Sequence, residues 1–402
     1  MSEYQAGFCR GRCTIDQIHT VKIISEKFWE YNLNLYHLFI DFKTAYDSVS
    51  RTGLYRILQQ QGIPSKIIRL IKMTMFQTNA HIKIQGGISE VFVYNGGLKQ
   101  GDGLAPMLFN LTLDWVIKQT ELDLNNTLLY KSTQVVAYAD VLDIMGRSTQ
   151  RIEEVLGKLE QAANKVGLKI NDDKTKWMVQ TRNKNNLYNL METRRFNMTE
   201  EFKYLGTTIS SNNEEWSEIQ RRITAANKTY FALVGILKSS IVHKEMKIRI
   251  YKTMIRTVLC YACETWIMNA KAETALGVFE RKILRRIYGP VNDNGQWRIR
   301  YNHELMDLYK ETDIVTYIKL KRLEWAGHVC RMGSQRVNKR IVEGRIYGRR
   351  PVGRPKDRWI DEVTKDAKQL LGITTWRRKA LDREEWRKKI EEVKARFWAV
   401  EP

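Results

Sequence analysis

Two aspartates stand at the ends of apolar segments, where a buried carboxylate is costly unless a cation offsets it. Asp41 follows the run LYHLFI, and Asp140 lies inside VVAYADVLDIMG, 99 residues further along the chain. Mg²⁺ prefers oxygen ligands and commonly takes one or two protein carboxylates together with substrate phosphates and water. In nucleotidyl transfer two such ions, about 3.5–4 Å apart, bind the attacking and leaving oxygens. If these two aspartates meet in space, the pair could support that chemistry.

The elements that would position the two aspartates are a buried strand and a hairpin. Segment 35–42 is almost wholly apolar, which predicts a strand buried on both faces with Asp41 at its end. In segment 135–146 two apolar runs flank a short polar point, which predicts a hairpin with Asp140 near its tip. Elements as rigid as these are needed to hold a metal site in place.

The surrounding chain predicts an α+β domain followed by a mostly helical region. Hydrophobic periodicity and the positions of Gly and Pro predict helices over 14–30, 50–60, 67–76, 104–120 and 152–166, a hairpin over 80–97 and strands over 168–180 and 202–209. This order of elements favours a mixed sheet. After Ser210 the apolar residues fall at spacings of three and four, which is typical of helices.

Six segments, in order, resemble the motifs of reverse transcriptases from non-LTR (LINE-type) retrotransposons. They are YQAGFCRGRCTIDQI (4–18) for the fingers, LFIDFKTAYDSV (38–49) for motif A, GLKQGDGLAPMLFNL (97–111) for motif B, AYADVLDIMGRS (137–148) for motif C, GLKINDDKTKWM (167–178) for motif D and FKYLGTTIS (202–210) for motif E. Six ordered matches make the resemblance specific. It implies a right-hand polymerase palm with partial fingers, then a mostly α-helical thumb-like region and a basic C-terminal tail.

The resemblance also implies boundaries and substrates. The expected domains are partial fingers over 1–34, the palm over 35–210, the thumb-like region over 211–310 and the basic region over 311–402. The implied activity is that of an RNA-directed DNA polymerase, with an RNA template, a DNA primer and deoxynucleoside triphosphates as partners. Met1 lies three residues before the fingers motif. We therefore expect a truncated member, whose missing fingers and endonuclease could come from other chains.

Residue by residue, the resemblance implies that Asp41 and Asp140 ligate two Mg²⁺ ions, with the Phe42 backbone carbonyl as a further ligand. Lys174 matches the motif D lysine, a proton donor to the pyrophosphate. Contacts to the nucleotide or the primer are implied for Arg10, Arg12, Tyr46, Gln100, Gly101, Tyr204, Leu205 and Gly206. Tyr46 matches the residue that excludes a ribose 2′-hydroxyl, with core packing as the alternative. Arg10 and Arg12 are either triphosphate ligands or solvated side chains.

Motif C departs from the pattern of active members, which carry two adjacent aspartates where this chain has Asp140 and Val141. Valine offers a metal no lone pair and no charge. Asp143 is the next carboxylate, but an extended backbone carries it about 7 Å further along. Motif B also has Gly103 and Ala105 in place of the usual proline and serine. We therefore expect strongly reduced polymerase activity.

The composition favours a polyanionic partner. The chain has 67 Lys and Arg against 45 Asp and Glu, a net charge of +22. Residues 321–402 hold 23 of these cations and 12 of the anions, a net of 23 − 12 = +11. The stretch from Arg336 to Arg358 is rich in Gly and Pro, which predicts an extended basic arm, with a solvated surface as the alternative.

Other features exclude some classes of protein. No apolar run approaches the roughly 18 residues of a spanning helix, so we expect no membrane association. Five cysteines and the lack of an apolar segment in MSEYQAGFCRGR predict an intracellular protein, nuclear or cytoplasmic, that is not secreted. Two alternatives to an active polymerase stay open: a basic nucleic-acid-binding protein without catalysis, and a pseudogene product. Five tryptophans among basic residues could stack on bases, although packing is the alternative: Trp297, Trp325, Trp359, Trp376 and Trp386.

Overall fold

The computed structural model of the chain describes residues 2–122, 127–182, 195–346, 350–351 and 358–398. The chain forms two compact units. The first comprises Met1–Thr20, Lys27–Leu205 and Gly344–Arg350, and the second comprises Val21–Glu26, Gly206–Glu343 and Pro351–Pro402. The four-part division expected from the motifs stays a prediction.

Residues 2–205 alternate between helices and strands, as the sequence predicts. In chain order the elements are α1 Thr14–Glu30, β1 Leu35–Ile40, α2 Ala45–Ser48, α3 Arg51–Gln60, α4 Ser65–Met75, β2 Thr78–Ala80, β3 Lys83–Ile84, β4 Gly87–Ile88, β5 Phe92–Tyr94, α5 Ala105–Lys118, β6 Thr133–Tyr138, β7 Val141–Gly146, α6 Thr149–Asn164, β8 Lys176–Gln180 and β9 Glu201–Tyr204. The side chains of Ser50 and Ser148 accept backbone N–H bonds at the first turns of α3 and α6.

The central sheet has the strand order β6-β7-β1-β8, and every pairing in it is antiparallel. The expected mixed sheet is therefore wrong. Strands β7 and β8 are joined through helix α6 and run in the same direction, but they do not pair, because β1 lies between them and runs the opposite way. The predicted strand over 168–180 is also too long, since the regular strand begins only at Lys176.

The two faces of this sheet have different surroundings. Leu38, Ile40 and Phe42 belong to one hydrophobic cluster with side chains of helices α3 to α6. Side chains alternate between the faces of a strand, so His37, Phe39 and Asp41 lie on the other face. There the Phe39 ring stacks on Phe202, with ring centroids 4.0 Å apart. The end of β1 therefore presents Asp41 on the face opposite helices α3 to α6, and its side chain there is half-buried.

Beyond residue 205 the chain is mostly helical, which confirms the change of character predicted after Ser210. The elements are β10 Thr207–Ser210, α7 Trp216–Lys238, α8 Lys244–Ile250, a π-helical turn Tyr251–Ile255, α9 Arg256–Leu259, a 3₁₀ turn Cys263–Thr265, α10 Ala270–Tyr288, β11 Val291–Asp293, β12 Gln296–Arg298, α11 Asn302–Tyr309, α12 Ile314–Arg331, α13 Val337–Glu343, α14 Trp359–Leu371, α15 Trp376–Lys379 and α16 Arg383–Trp398. No helix within the described residues is long and apolar enough to cross a bilayer.

The predicted extended basic arm is only partly within the described residues. The prediction is wrong for the beginning of this arm, because Val337–Glu343 is helical, with Val337 and Ile341 buried. Two residues facing the core, four apart, suffice for a short amphipathic helix in spite of the many charges around them. Residues 347–349 and 352–357, which hold most of the GRRPVGRPKDRW stretch, lie outside the described residues.

The core of the second unit holds one carboxyl group with a strongly raised pKa. Glu280 is 1% exposed and accepts hydrogen bonds from the Tyr251 hydroxyl at 2.8 Å and from the Ile314 backbone N–H at 2.8 Å. Burial is the main reason why the pKa of Glu280 rises to about 7, and the nearby charge of Asp313 adds to the rise. The folded chain therefore binds this proton more tightly than the unfolded chain does.

We expect the free energy of unfolding to fall as the pH rises through the interval between an ordinary glutamate pKa, about 4.3, and about 7. The loss is on the order of 3 kcal/mol at most. Replacing Glu280 with Gln should remove most of this pH dependence, as judged by urea unfolding at about pH 5 and about pH 8. The exposed Glu245, changed to Gln, is the matched control and should keep the wild-type slope.

Candidate active site

The tip of the β6–β7 hairpin carries Asp140. Tyr138 pairs with Val141, so Ala139 and Asp140 form a two-residue turn. Ala139 has φ +54°, a left-handed conformation that costs an L-residue roughly 1–2 kcal/mol. Strained backbone of this kind is stored at functional sites when neighbouring structure holds it in place. The turn leaves Asp140 half-buried, at the end of the sheet.

Asp41 lies at the same end of the sheet. The recorded register pairs Phe39 with Asp143 and Ile40 with Leu142. Continued by one residue, this register sets Asp41 opposite Val141. Residues opposite each other in an antiparallel pair share a face. Asp41 and Val141 therefore project from the same face of the sheet, beside the Asp140 turn.

The charges of Asp41, Asp140 and Lys174 act on one another. Burial raises the pKa of Asp140, and the negative charge of Asp41 raises it further, whereas the charge of Lys174 lowers it. Lys174 Nζ lies 3.9 Å from Asp41 Oδ1, and its side chain is 68% exposed. The turn before β8 is fixed to β1, because the Asn171 N–H donates to the Asp41 carbonyl at 2.8 Å. Asp41, Asp140 and Lys174 are therefore close enough to one another for their charges to interact at this end of the sheet.

The donor set fits a divalent cation that also binds substrate oxygens. Phe42 forms an isolated antiparallel bridge with Ile170, and the hydrogen bonds beside this bridge are made by the residues flanking Phe42. In such a pair the central residue turns its own carbonyl to the opposite side. The Phe42 carbonyl therefore faces the side of β7 and Asp140. Within the described part of the chain no group of three or more His, Cys, Asp or Glu could hold a metal ion. Two carboxylates and a carbonyl oxygen are hard ligands of the kind that Mg²⁺ prefers.

Tyr46 lies beside the carboxylates and is fixed by the segment that precedes α5. Its ring stacks on Phe109 with centroids 4.8 Å apart, and its carbonyl accepts the Leu98 N–H at 2.8 Å. Burial and the charge of Asp140 raise the pKa of Tyr46 to about 12. Tyr46 is only half-buried, so its ring packs against the core and also borders the site.

The predicted nucleotide-binding residues of motif B lie in an exposed loop. Gln100 and Gly101 follow the docked Leu98, and both are exposed. Gly101 has φ +89° with no atom within 4 Å of the position of a Cβ. Glycine adopts this conformation without strain, which allows the loop to turn ahead of α5. Arg10 is likewise exposed.

Arg12 is engaged elsewhere. Its guanidinium donates to the carbonyls of Ser2 at 2.8 Å and Gln5 at 2.5 Å, and it pairs with Glu3 at 2.6 Å. The side chain is only 12% exposed. These contacts fold the N-terminal segment back on itself, so the structure gives Arg12 a different task from the expected triphosphate contact.

Among the predicted primer contacts, Tyr204 is fully buried. Its ring packs beside Phe39, with centroids 5.9 Å apart. A buried side chain cannot reach a primer, so this part of the expectation is corrected: the ring belongs to the core. Leu205 and Gly206 follow with φ +45° and +82° and are partly exposed. These two residues remain candidates for a primer contact.

Asp143, the next carboxylate on β7, has a structural partner. It is 0% exposed, and its Oδ2 lies 3.0 Å from His37 Nδ1, which is also fully buried. Burial raises the pKa of Asp143, and the His37 partner opposes the rise. Asp143 is thus held within the sheet and does not replace the acid that Val141 lacks.

Two residues that fix the Asp140 turn escaped the sequence analysis. The buried Gln5 side chain accepts the Ala139 N–H at 2.9 Å and donates to the Ala139 carbonyl at 3.3 Å. A Cβ at Gly7 would lie 2.3 Å from the Ala139 nitrogen. The backbone around Gln5 also bridges β6 at Ala137, which covers that sheet edge. The signal available in the sequence was a Gln and a Gly two residues apart in the fingers motif.

Replacing Gly7 with Ala should push the Asp140 turn away from its position, because backbone atoms cannot yield as a flexible side chain does. We expect the free energy of unfolding to fall by about 1–3 kcal/mol, measured by urea unfolding. Gly157, in the middle of α6, has no atom within 4 Å of the position of a Cβ. Its change to Ala is the control and should stabilise by up to about 1 kcal/mol. Equal effects in the two variants would contradict the tight approach at Gly7.

Comparisons with known proteins agree with the motifs. The family profile described as reverse transcriptase (RNA-dependent DNA polymerase) matches residues 1–209. A putative uncharacterised transposon-derived protein of Caenorhabditis elegans is 28% identical over 263 residues, covering 62% of this chain and 92% of that protein. The Pol polyprotein of the type-2 retrotransposable element R2DM of Drosophila melanogaster is 25% identical, covering 60% of this chain and 25% of the polyprotein.

Two further matches extend this set. A probable RNA-directed DNA polymerase from the Drosophila melanogaster transposon X-element is 23% identical, covering 71% of this chain and 32% of that protein. The chain thus spans about a quarter to a third of the length of these two Drosophila relatives. Among solved structures, apo telomerase from Candida tropicalis aligns with a TM-score of 0.42 and 11% identity, over 97% of this chain and 57% of that one.

Proposed function

Because this chain belongs to the reverse transcriptase (RNA-dependent DNA polymerase) family, we propose that its first unit carries a divalent-metal site for template-directed nucleotidyl transfer. The observation that carries the proposal is the meeting of Asp41 and Asp140 at the ends of neighbouring antiparallel strands. The proposal concerns this chain alone and not the longer polyproteins it resembles.

We assign Asp41, Asp140 and the Phe42 carbonyl to holding two Mg²⁺ ions. When bound, the ions would supply charge neutralisation for the attacking 3′-oxygen and for the leaving pyrophosphate. Lys174, an exposed ammonium 3.9 Å from Asp41, is assigned as the proton donor to the pyrophosphate. Its long exposed side chain can leave Asp41 when a substrate enters, because an exposed ion pair of this length is weak.

The residues around the carboxylates are assigned to substrate positioning. Tyr46, whose ring stacks on Phe109 and whose carbonyl accepts the Leu98 N–H, would contact the sugar and exclude a 2′-hydroxyl. Gln100 and Gly101, in the exposed loop, would contact the incoming nucleotide and the template. Arg10 is assigned to the triphosphate. The turn at Leu205 and Gly206 is assigned to the primer end.

The proposed substrates are an RNA template, a DNA primer and deoxynucleoside triphosphates. The names of the relatives describe retrotransposon Pol polyproteins and an RNA-directed DNA polymerase, and a net charge of +22 suits a polyanionic partner. We propose that turnover is slow, because Val141 leaves the site one carboxylate short of the motif in active members. A second candidate, nucleic-acid binding without catalysis, is favoured by this same residue.

Two measurements on the full chain separate these functions. The first is binding to a labelled RNA–DNA primer–template across a salt series, and the second is extension of that primer with Mg²⁺ and deoxynucleotides. We expect salt-sensitive binding together with slow extension that a chelator stops. Binding without extension, in wild type and in Val141→Asp alike, would support only the second candidate, nucleic-acid binding without catalysis. The absence of both would reject both candidates.

A further inference from the structure

In the second unit, strand β12 and the three residues after it expose their apolar side chains and turn their charged ones inward. Trp297, Ile299 and Tyr301 are 70%, 72% and 58% exposed. The residues between them, Arg298 and Arg300, are only partly exposed. A half-buried strand normally has the reverse arrangement, with apolar side chains against the core. Contiguous exposed apolar side chains of this kind mark an interaction surface.

Ion pairs and hydrogen bonds hold the strand in this orientation. Arg298 pairs with Glu304 at 2.7 Å and with Asp293 at 3.0 Å. Arg300 Nε donates to the Gly289 carbonyl at 3.1 Å. Alternation along an extended chain then turns Trp297 and Ile299 outward. The Tyr301 ring, in contrast, has the Arg298 guanidinium over it, 4.5 Å from the ring centroid, and stacks beside His303. The exposure therefore results from specific contacts of the arginines.

Trp297 differs from the other tryptophans that lie among basic residues. Trp325, Trp359, Trp376 and Trp386 are 8%, 2%, 4% and 2% exposed. Those four tryptophans are buried, as expected if they pack in the interior of the protein. Trp297 alone of these five is exposed, on strand β12 of the β11–β12 hairpin, where it pairs with Asn292.

The charges around the strand identify the chemistry of the partner. Residues 281–301 hold six Arg and Lys against one Asp, a net of 6 − 1 = +5. Arg285 donates only to neutral oxygens among the described contacts, at the Arg300 carbonyl and the Asn302 side chain. Lys282 likewise donates to Asn227. These cations are not neutralised by carboxylates, so the surface favours an anion with flat apolar groups.

We infer that the Trp297 segment, defined as residues 296–301, binds single-stranded nucleic acid, with an unpaired base stacked on Trp297 and phosphates near Arg285 and Arg300. Aromatic rings accept any base, whereas a duplex keeps its base faces inside the stack. This surface contains none of the residues proposed to hold metal, and binding to it requires no polymerase activity.

The test is the affinity of the full chain for a fluorescent oligo(dT) of about 12 nucleotides, compared with a blunt duplex of the same length. Trp297→Ala should weaken binding of the single strand by about tenfold, and Trp297→Phe, which keeps a ring, by much less. Ile241→Ala, which removes an 88% exposed apolar side chain from the same unit, is the matched control and should bind as wild type. Circular dichroism checks that each variant is folded.

Photo-crosslinking of the wild-type chain to an oligonucleotide with 5-iododeoxyuridine gives a second readout, which does not depend on any variant folding. The expected adduct lies on Trp297. The inference is overturned if Trp297→Ala and Ile241→Ala bind alike, if the duplex loses as much affinity as the single strand, or if the adducts map elsewhere. An exposed strand that serves a protein partner would give those results.

Discussion

Changing Val141 to Asp is expected to raise the rate of primer extension by about a hundredfold. The register sets residue 141 opposite Asp41, on the same face of the sheet, so the new carboxylate would point at the proposed metal site. One further ligand to a divalent cation can contribute several kcal/mol to charge stabilisation in the transition state, and each 1.36 kcal/mol is a factor of ten. Val141 is half-buried, so the new charge keeps access to water.

The measurement is single-nucleotide addition to a DNA primer on an RNA template, with enzyme in excess so that release of product does not limit the rate. Val141→Asn is the matched control, because asparagine has the shape of aspartate without its charge. It should recover little of the rate. In the metal-free protein a third carboxylate repels the other two, so Mg²⁺ should raise the Tm of Val141→Asp more than that of wild type.

An unchanged rate in a folded Val141→Asp variant would mean that the missing carboxylate is not what limits this chain. Gly103, shortly before α5, and Ala105, its first residue, would then be the next positions to change. A large gain from Val141→Asn as well would show that the valine acts by its bulk or by burial, and the argument from metal ligation would fail.

Removing either aspartate should have the second large effect. In the Val141→Asp background, Asp140→Asn and Asp41→Asn should each lower the extension rate by about a thousandfold, since each removes a charged ligand from a site that neutralises divalent cations. Binding of the primer–template should change little, because phosphate contacts of the basic surface carry most of that affinity. The measurement pairs extension rates with binding curves at one salt concentration.

Asp173→Asn is the control for the loss of a nearby negative charge. Asp173 is exposed and stands next to Lys174, but its side chain is not in the group formed by Asp41, Asp140 and Lys174. Its removal should leave the rate within about twofold of the background, because exposed charges are strongly screened. If all three asparagine variants lost activity equally, long-range electrostatics would explain the result better than ligation would.

The candidate site could be predicted from the sequence in its chemistry and in most of its local elements. An almost wholly apolar run predicts the strand that ends at Asp41, and two apolar runs around a polar point predict the hairpin at Asp140. Both are confirmed, as are the helix Thr14–Glu30 and the helical region after residue 210. These features depend on residues close together in the chain, so periodicity and turn chemistry are enough to reveal them.

What only the tertiary structure decided depends on partners far apart in the chain. Hydrophobic periodicity finds a strand but not its neighbour, so the antiparallel sheet and the register of residue 141 against Asp41 could not be derived from it. For the same reason the clamp of Gln5 on Ala139, 134 residues away, was missed. The same holds for Arg12, Tyr204 and Trp297. The type of a side chain limits what it can do, and its burial and contacts decide which of those roles it has.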